Sequence, residues 1–598
     1  MFLTRLCSKL PYILLGLLLF FLPLQTRWII KLGTLKNLPW EFSTISLYGT
    51  DLLIILFLVS VVFGTSRRGS KNNIVRACRE LPKTVKNYFR RIHSVIPSQV
   101  EGSRIAGLPR RLRLLAMTVG QRTKNLLLTT SILVPLVLWS LASILWSPDK
   151  PIALYQAFKL LEGVLLFGAI KIVIARKDPS LVIASQAKQS DIPPSSRAAS
   201  RDLAFVAFTL AVVIQAALGS WQFLTQHVGA NKWLGMAVHD PWQSGASVVE
   251  TLLRRWLRGY GTLPHPNILG EYLVVGLLLW VLLMILWEPR MRQRAFSATT
   301  RTRFLLWTVA TTIVTWVPWV VLVSGLFFTF SRAAWLVFFL SIGFLLLSSR
   351  VLPLSFRAKP RDLASQEAKL LAPREVERSL ASAPAQFIKL FLIAVIIFLT
   401  LGLTFRDPTT TRLTAHGRLE TKSTTERLGG YTRAWESIKQ RPILGTGIGQ
   451  SSLLVPELVE GIPLDKKLPA SVAVRSLEAA APIHNTPLLV FVELGFIGGL
   501  LYLAFLLLLL RQAFRSIIQN SPTVISSRSL VIPSQAEGSR PLSHKLPVTN
   551  YQLLAAGALA ALVVLSLADH SFWTLHAGQM LFWGVAGLAA ASIPQQRF

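Results

Sequence analysis

Leu488-Leu-Val-Phe-Val-Glu-Leu-Gly-Phe-Ile-Gly-Gly-Leu-Leu-Tyr-Leu-Ala-Phe-Leu-Leu-Leu-Leu-Leu510 is an apolar run interrupted by one carboxylate, Glu493. It exceeds the roughly 20 residues a helix needs to cross the hydrocarbon core of a bilayer. Its leucine-rich, non-alternating pattern suits a helix rather than a barrel strand, because a spanning segment must satisfy its backbone polar groups internally. Four further blocks read the same way: Leu126 to Trp146, Leu203 to Leu224, Ile268 to Trp287 and Phe387 to Leu403. With 52% hydrophobic and 15% charged residues over 598 positions, the composition is that of a polytopic membrane protein. The expected fold class is all-α.

Block length and flanking breakers predict about twelve transmembrane helices, near 11–26, 47–64, 126–146, 155–175, 203–224, 267–287, 304–329, 333–349, 387–403, 486–510, 551–568 and 576–592. The net charge of +35 would suggest nucleic acid in a soluble chain. Here the positive residues gather in loops between apolar blocks, as in a positive-inside topology, and no nucleic-acid partner is expected. The loop from Thr65 to Lys124 carries Arg67-Arg68, Arg90-Arg91 and Arg110-Arg111 against only Glu80 and Glu101, which places it in the cytosol. Every second loop is also basic. This alternation predicts a multi-pass protein of the cell (inner) membrane with N- and C-termini cytoplasmic. It divides the chain into residues 1–404 with nine spans, a large extracytoplasmic (periplasmic) loop at 405–485, and residues 486–598 with three spans.

Cys7 and Cys78 are the only cysteines, both on the expected cytosolic side, so neither a disulfide framework nor a cysteine metal site is supported. The start, Met1 to Gln25, resembles a secretory signal but lacks a small-residue cleavage site and reads as the first span. Val95-Ile-Pro-Ser-Gln-Val-Glu-Gly-Ser-Arg104 recurs as Val531-Ile-Pro-Ser-Gln-Ala-Glu-Gly-Ser-Arg540. Both copies fall in expected cytoplasmic loops, where inserted sequence costs little entropy, and a docking motif is the other reading.

The polar clusters with chemical potential lie on the opposite face. Arg254-Arg-Trp-Leu-Arg-Gly-Tyr-Gly-Thr-Leu-Pro-His-Pro-Asn267 forms a turn at the membrane surface that holds Arg258 close to it, either for function or snorkelling to headgroups. Arg332, in Phe328-Thr-Phe-Ser-Arg-Ala-Ala-Trp335, interrupts two almost uncharged spans. It marks either an anion-binding cavity or simply a helix hairpin with its guanidinium in water. In the large loop an amphipathic helix ends at Arg441-Pro442, and Gly445, Gly447 and Gly449 follow without the strand or Lys-Ser that a nucleotide loop requires. His484, in Ala481-Pro-Ile-His-Asn-Thr-Pro487, is the group there that titrates near neutral pH and a candidate general base. No His or carboxylate cluster shows metal spacing and no Gly-x-Ser-x-Gly elbow occurs, so metal and serine chemistry are unsupported.

Taken in order, Arg258 with Gly261-Thr262 and Pro266-Asn267, Phe330-Ser331-Arg332-Ala333, Arg427 with Trp435 and Arg441-Pro-Ile-Leu-Gly-Thr-Gly447, and His484-Asn485 with Val492-Glu-Leu-Gly-Phe-Ile-Gly-Gly499 resemble the O-antigen ligase family. The resemblance runs from about Ala204 to Leu510. It implies a metal-independent glycosyltransferase that moves a glycan from a polyprenyl-diphosphate carrier, undecaprenyl diphosphate, to a hydroxyl on a glycan, lipid or protein acceptor, with membrane lipid as a further partner and no cofactor. It further implies donor diphosphate binding by Arg258, Arg332 and Arg427, with Arg433 an alternative in an uncertain register, and a catalytic His484. Guanidiniums suit a departing diphosphate because they bind phosphate oxygens bidentately. The alternatives are an O-antigen or polysaccharide polymerase of the same family and, from another class, a transporter or flippase for the lipid-linked glycan.

Overall fold

The computed structural model describes residues 2–35, 38–66, 131–175, 195–296, 301–354, 373–415, 417–452, 482–519 and 549–591. Cys78, both copies of the repeated decapeptide, the stretch from Leu454 to Glu478 and most of the basic loops that set the expected orientation lie outside them.

Among the described residues, each of the twelve apolar segments contains a helix. In chain order they are α1 (Phe2–Phe21), α2 (Gly49–Ser66), α3 (Ser131–Leu145), α4 (Lys150–Ala175), α5 (Ser195–Thr225), α6 (Pro266–Phe296), α7 (Arg301–Phe328), α8 (Arg332–Leu354) and α9 (Pro373–Thr404). After the polar helices α10 (Arg406–Thr414) and α11 (Arg418–Gln440) come α12 (Thr486–Gln519), α13 (Thr549–Ser566), the single turn α14 (Ser571–Thr574) and α15 (His576–Ala591). Among the described residues, three helical stretches are long and apolar enough to cross a membrane: Val206–Thr225, Phe387–Thr404 and Thr486–Phe514.

The all-α expectation holds for the bundle but not for its end, where three two-stranded antiparallel sheets form: Arg27–Lys31 with Ile45–Tyr48, Thr34–Leu35 with Leu38–Pro39, and Val248–Glu250 with Arg255–Leu257. Pairs this short give no detectable alternation in sequence.

Helix α6 lies at the centre. Leu269, Leu273, Val274, Val275, Leu277 and Val281 are all fully buried, and α5, α7, α8, α9 and α13 pack around it. A helix apolar on every side belongs in such a position. Peripheral α9 instead exposes Leu392, Ile396, Leu399 and Leu403, a stripe at helical spacing that water would not tolerate and lipid would. The chain is a membrane protein.

The run from Leu488 to Leu510 is not one continuous helix. Gly495 breaks α12 with φ 65° and ψ −168°, and the glycine turn after α11 docks into the break. The Thr446 amide donates to Val492 O at 2.9 Å, the Gly447 amide to Glu493 O at 2.8 Å, and the Phe496 amide to Pro442 O at 2.8 Å. Buried backbone groups released by a break must find such partners. A side chain at Gly495 would collide with Ile443 O, and one at Gly445 with Glu493 O. Both residues have φ near +70°, so glycine is required on both sides of the joint.

Six connections meet at this end of the bundle. The Gln25 amide reaches Leu234 O, Thr262 Oγ1 reaches Pro23 O, and the Gly259 amide reaches Phe328 O. Arg412 Nε reaches Phe330 O, the Asp149 amide reaches Gln450 Oε1, and the Thr486 amide reaches Asp569 O.

Candidate active site

The hairpin between α7 and α8 turns in three residues, with Phe330 left-handed at φ 47°. Two arginines hold its carbonyls: Arg258 Nε donates to Thr329 O at 2.7 Å and Arg412 Nε to Phe330 O at 2.8 Å. Arg332, the first residue of α8, therefore points toward the large loop, where its Nη2 lies 3.4 Å from Glu420 Oε2. Arg412 Nη1 bonds the other oxygen of Glu420 at 2.5 Å. One buried carboxylate thus spaces two guanidiniums.

Helix α11 supplies a third. Its inward stripe runs through Glu420, Gly430, Ala434, Ser437 and Ile438. Arg427, seven residues after Glu420 and three before Gly430, falls on that stripe and lines the cleft, which Arg433 does not. Arg427 Nε is buried without a hydrogen-bond partner. The three arginines line a cleft of about 340 Å³ whose other walls include Asn267, Glu271, Ser331 and Asp569.

Asp569 sits in the short turn before α14. The Asn267 amide donates to its Oδ2 at 3.1 Å, and the backbone of His570 donates to its Oδ1 at 2.7 Å. His484 Nδ1 lies 3.9 Å from Oδ1, is buried and has no hydrogen-bond partner, and its ring packs 5.0 Å from that of His570. Tyr431 on α11 fixes the backbone beneath it, donating to His484 O at 3.2 Å. Burial pushes the His484 imidazole below its ordinary value. Asp569 pulls the other way, and Arg427 adds to the depression. Burial lowers His570 further, to about 4. Burial works against the Asp569 carboxylate, but His570, His484, His265 and the Asn267 amide hold it below the usual range. The site therefore pairs a neutral imidazole with an ionised carboxylate at the edge of a cationic cleft, a set suited to taking a proton while an anion departs.

Residues 317–503 match the family model described as O-antigen ligase. The chain carries an O-antigen ligase domain. No curated protein matches the chain. The match is narrower than the resemblance drawn from the motifs. It spans the α7–α8 hairpin, the large loop and His484, and so includes Arg332, Arg412 and Arg427. Arg258, Asn267, Asp569 and His570 come to the O-antigen ligase domain from outside the matched segment. A match of this kind fits a membrane protein of polysaccharide or lipopolysaccharide biosynthesis.

Of the residues singled out in sequence, Arg332 and Arg427 line the cleft and His484 adjoins it through Asp569. Arg258 stands behind it, 5% exposed, with its Nη2 donating to Asn267 Oδ1 at 2.7 Å, so it neither reaches headgroups nor lines the cleft wall. Sequence reading missed Asp569, His570, Arg412 and Glu420. The Asp569-His570 pair in a turn between two apolar segments was the available signal. The absence of metal-spaced clusters also needs correction. His484, Asp569 and His570 converge, as do Asp51, Glu162 and His576, with ligand atoms within 4.8 Å of one another in each group. Spacing along the chain could not show this, because each group is assembled from distant segments.

Proposed function

We propose that the protein is a membrane glycosyltransferase that transfers a glycan from a polyprenyl-diphosphate carrier, undecaprenyl diphosphate, to an acceptor hydroxyl on the extracytoplasmic face. The observation that carries this reading is the convergence of Arg332, Arg412 and Arg427 on one cleft beside His484 and Asp569. The donor diphosphate occupies the arginine cleft, where the unpaired Arg427 Nε–H gains an acceptor and charge-assisted bonds follow the negative charge that grows on the leaving group. Arg258 acts one layer back, fixing Thr329 O and Asn267, which in turn holds Asp569.

The acceptor oxygen attacks the anomeric carbon, the bond from that carbon to the phosphate oxygen breaks, and the hydroxyl proton passes to the His484 imidazole. The carrier leaves as the diphosphate. Asp569 stabilises the resulting imidazolium. The step is a single inverting displacement that draws on no metal or cofactor.

The reading includes twelve spans, cytoplasmic termini in the cell membrane, and a division at residues 1–404, 405–485 and 486–598. It is supported by the meeting of six alternate connections at one end of the bundle. The test is transfer in proteoliposomes from a polyprenyl-diphosphate glycan. His484→Ala should nearly abolish it, and near-normal turnover would remove the mechanism.

A further inference from the structure

A second cavity, of about 460 Å³, opens on the other side of the Asp569-His570 turn. Its chemistry is the reverse of the arginine cleft. No arginine or lysine lines it among the described residues, and one wall is Glu493, on which the Gly449 amide (2.9 Å), Ser451 Oγ (2.7 Å) and Trp573 Nε1 (2.7 Å) converge. A diphosphate finds no cation among the described residues of these walls. Aromatic rings, Phe42 and Trp573 among them, supply flat apolar surface. Gln156 and Ser452 supply an amide and a hydroxyl that make no side-chain hydrogen bond among the described residues. Flat rings beside unspent amide and hydroxyl groups match the two faces of a sugar ring, whose C–H surface packs on aromatics while its hydroxyls need both donors and acceptors.

The cavity also leads to the reacting centre. Thr574, on its wall, lies 2.6 Å from His570 Nδ1, and the Phe42 ring is 5.6 Å from the His570 ring, which is in turn 5.0 Å from His484. We propose that this cavity is a saccharide subsite that holds the terminal sugar of the acceptor, with Gln156 and Ser452 bonding its hydroxyls. The proposal rests on the transferase reading above and names the side from which the attacking hydroxyl comes. Asp569 on the wall of the donor cleft and His570 beside the acceptor cavity are then neighbours in one turn, with His484 next to both residues.

Calorimetric titration of the full chain in a detergent without a sugar headgroup tests it with two probes. One is the mixture of oligosaccharides released by mild acid from the producing cell's own envelope. The other is inorganic pyrophosphate. Gln156→Leu should weaken oligosaccharide binding at least tenfold and leave pyrophosphate binding unchanged, and Arg427→Ala should do the reverse. Ser452→Ala, a smaller change on the same wall, should weaken oligosaccharide binding several-fold and is decisive if Gln156→Leu does not fold. Absence of oligosaccharide binding by the unaltered chain, or unchanged affinity in the variants, overturns the subsite. Pyrophosphate binding indifferent to Arg427 would instead count against the donor cleft and leave the saccharide result standing.

Discussion

Two buried clusters use nearly the same residue types to opposite ends. Between α2, α4 and α15, Lys159 Nζ lies 2.6 Å from Asp51 Oδ2 and 3.0 Å from Glu162 Oε2, while Thr50 Oγ1 lies 2.6 Å from His576 Nε2 and the Tyr48 ring stacks on the imidazole at 4.2 Å. Lys159 faces both carboxylates, the imidazole is enclosed, and Asp51 Oδ1, which makes no hydrogen bond, rests 3.4 Å from His576 Nε2 rather than on open space. At the cleft the carboxylate Asp569 is likewise held, but His484 Nδ1 and Arg427 Nε are left without partners and the arginines face open space. A closed network fixes helices to one another. An open one, kept unsatisfied by the rigid backbone around it, waits for a substrate to complete it.

The largest effect should separate the two. His484→Ala is expected to reduce transfer by roughly 10²–10⁴-fold, the usual worth of a positioned general base, while barely moving the thermal unfolding midpoint. Lys159→Met should do the converse. Removing one partner of a buried ion network costs about 3–5 kcal/mol because the remaining charges stay unpaired, so the midpoint should fall steeply while the surviving folded fraction keeps its turnover per molecule. If Lys159→Met abolished transfer without loss of stability, the contrast between the clusters would fail.

Arg427→Ala comes next. The loss of one charged hydrogen-bond donor to the leaving group, about 1.5–3 kcal/mol, lowers kcat/KM for the donor by roughly 10–100-fold. The same variant sharpens the electrostatics. His484 works as the neutral base, and its depressed pKa keeps the acid limb of the rate profile beneath the ordinary histidine value of about 6.5. Arg427 contributes to that depression, so its removal should move the limb to higher pH. A limb that stays in place, or moves to lower pH, would show that another group titrates.

The sequence was most legible where a physical constraint is local. Among the described residues each apolar run contains a helix, three of them long and apolar enough to span, because run length is a property of consecutive residues. Arg332 was visible as a charge inside an apolar stretch and Arg427 through a family motif that left Arg433 open, an alternative the lining of the cleft decides. What was illegible depends on distant segments meeting. Asp569 is drawn to the site by Asn267, 302 positions away in sequence. The break at Gly495 is a response to the turn that enters it. In Leu488 to Leu510 two departures from a leucine-rich helix serve that joint: Gly495 admits Ile443, and Glu493 ties Gly449, Ser451 and Trp573 together.

The smallest expected effect is none at all. His484, Asp569 and His570 have the composition of a divalent-cation site. Yet the two imidazole nitrogens lie 3.9 and 4.0 Å from Asp569 Oδ1, wider than the roughly 3.3 Å between ligand atoms on a tetrahedral ion with bonds of about 2.0 Å. Asp569 Oδ1 already accepts from the His570 amide and Oδ2 from Asn267, and Arg427 raises the potential at His484 against any cation. A base must also keep a lone pair for the proton, which a metal on His484 would take. Transfer should therefore be unchanged by prolonged treatment with a chelator, and added zinc should inhibit if it acts at all. Activity lost to the chelator and restored by a divalent ion would close the cluster around a metal, erase its contrast with the Lys159 network, and remove His484 from the role of base.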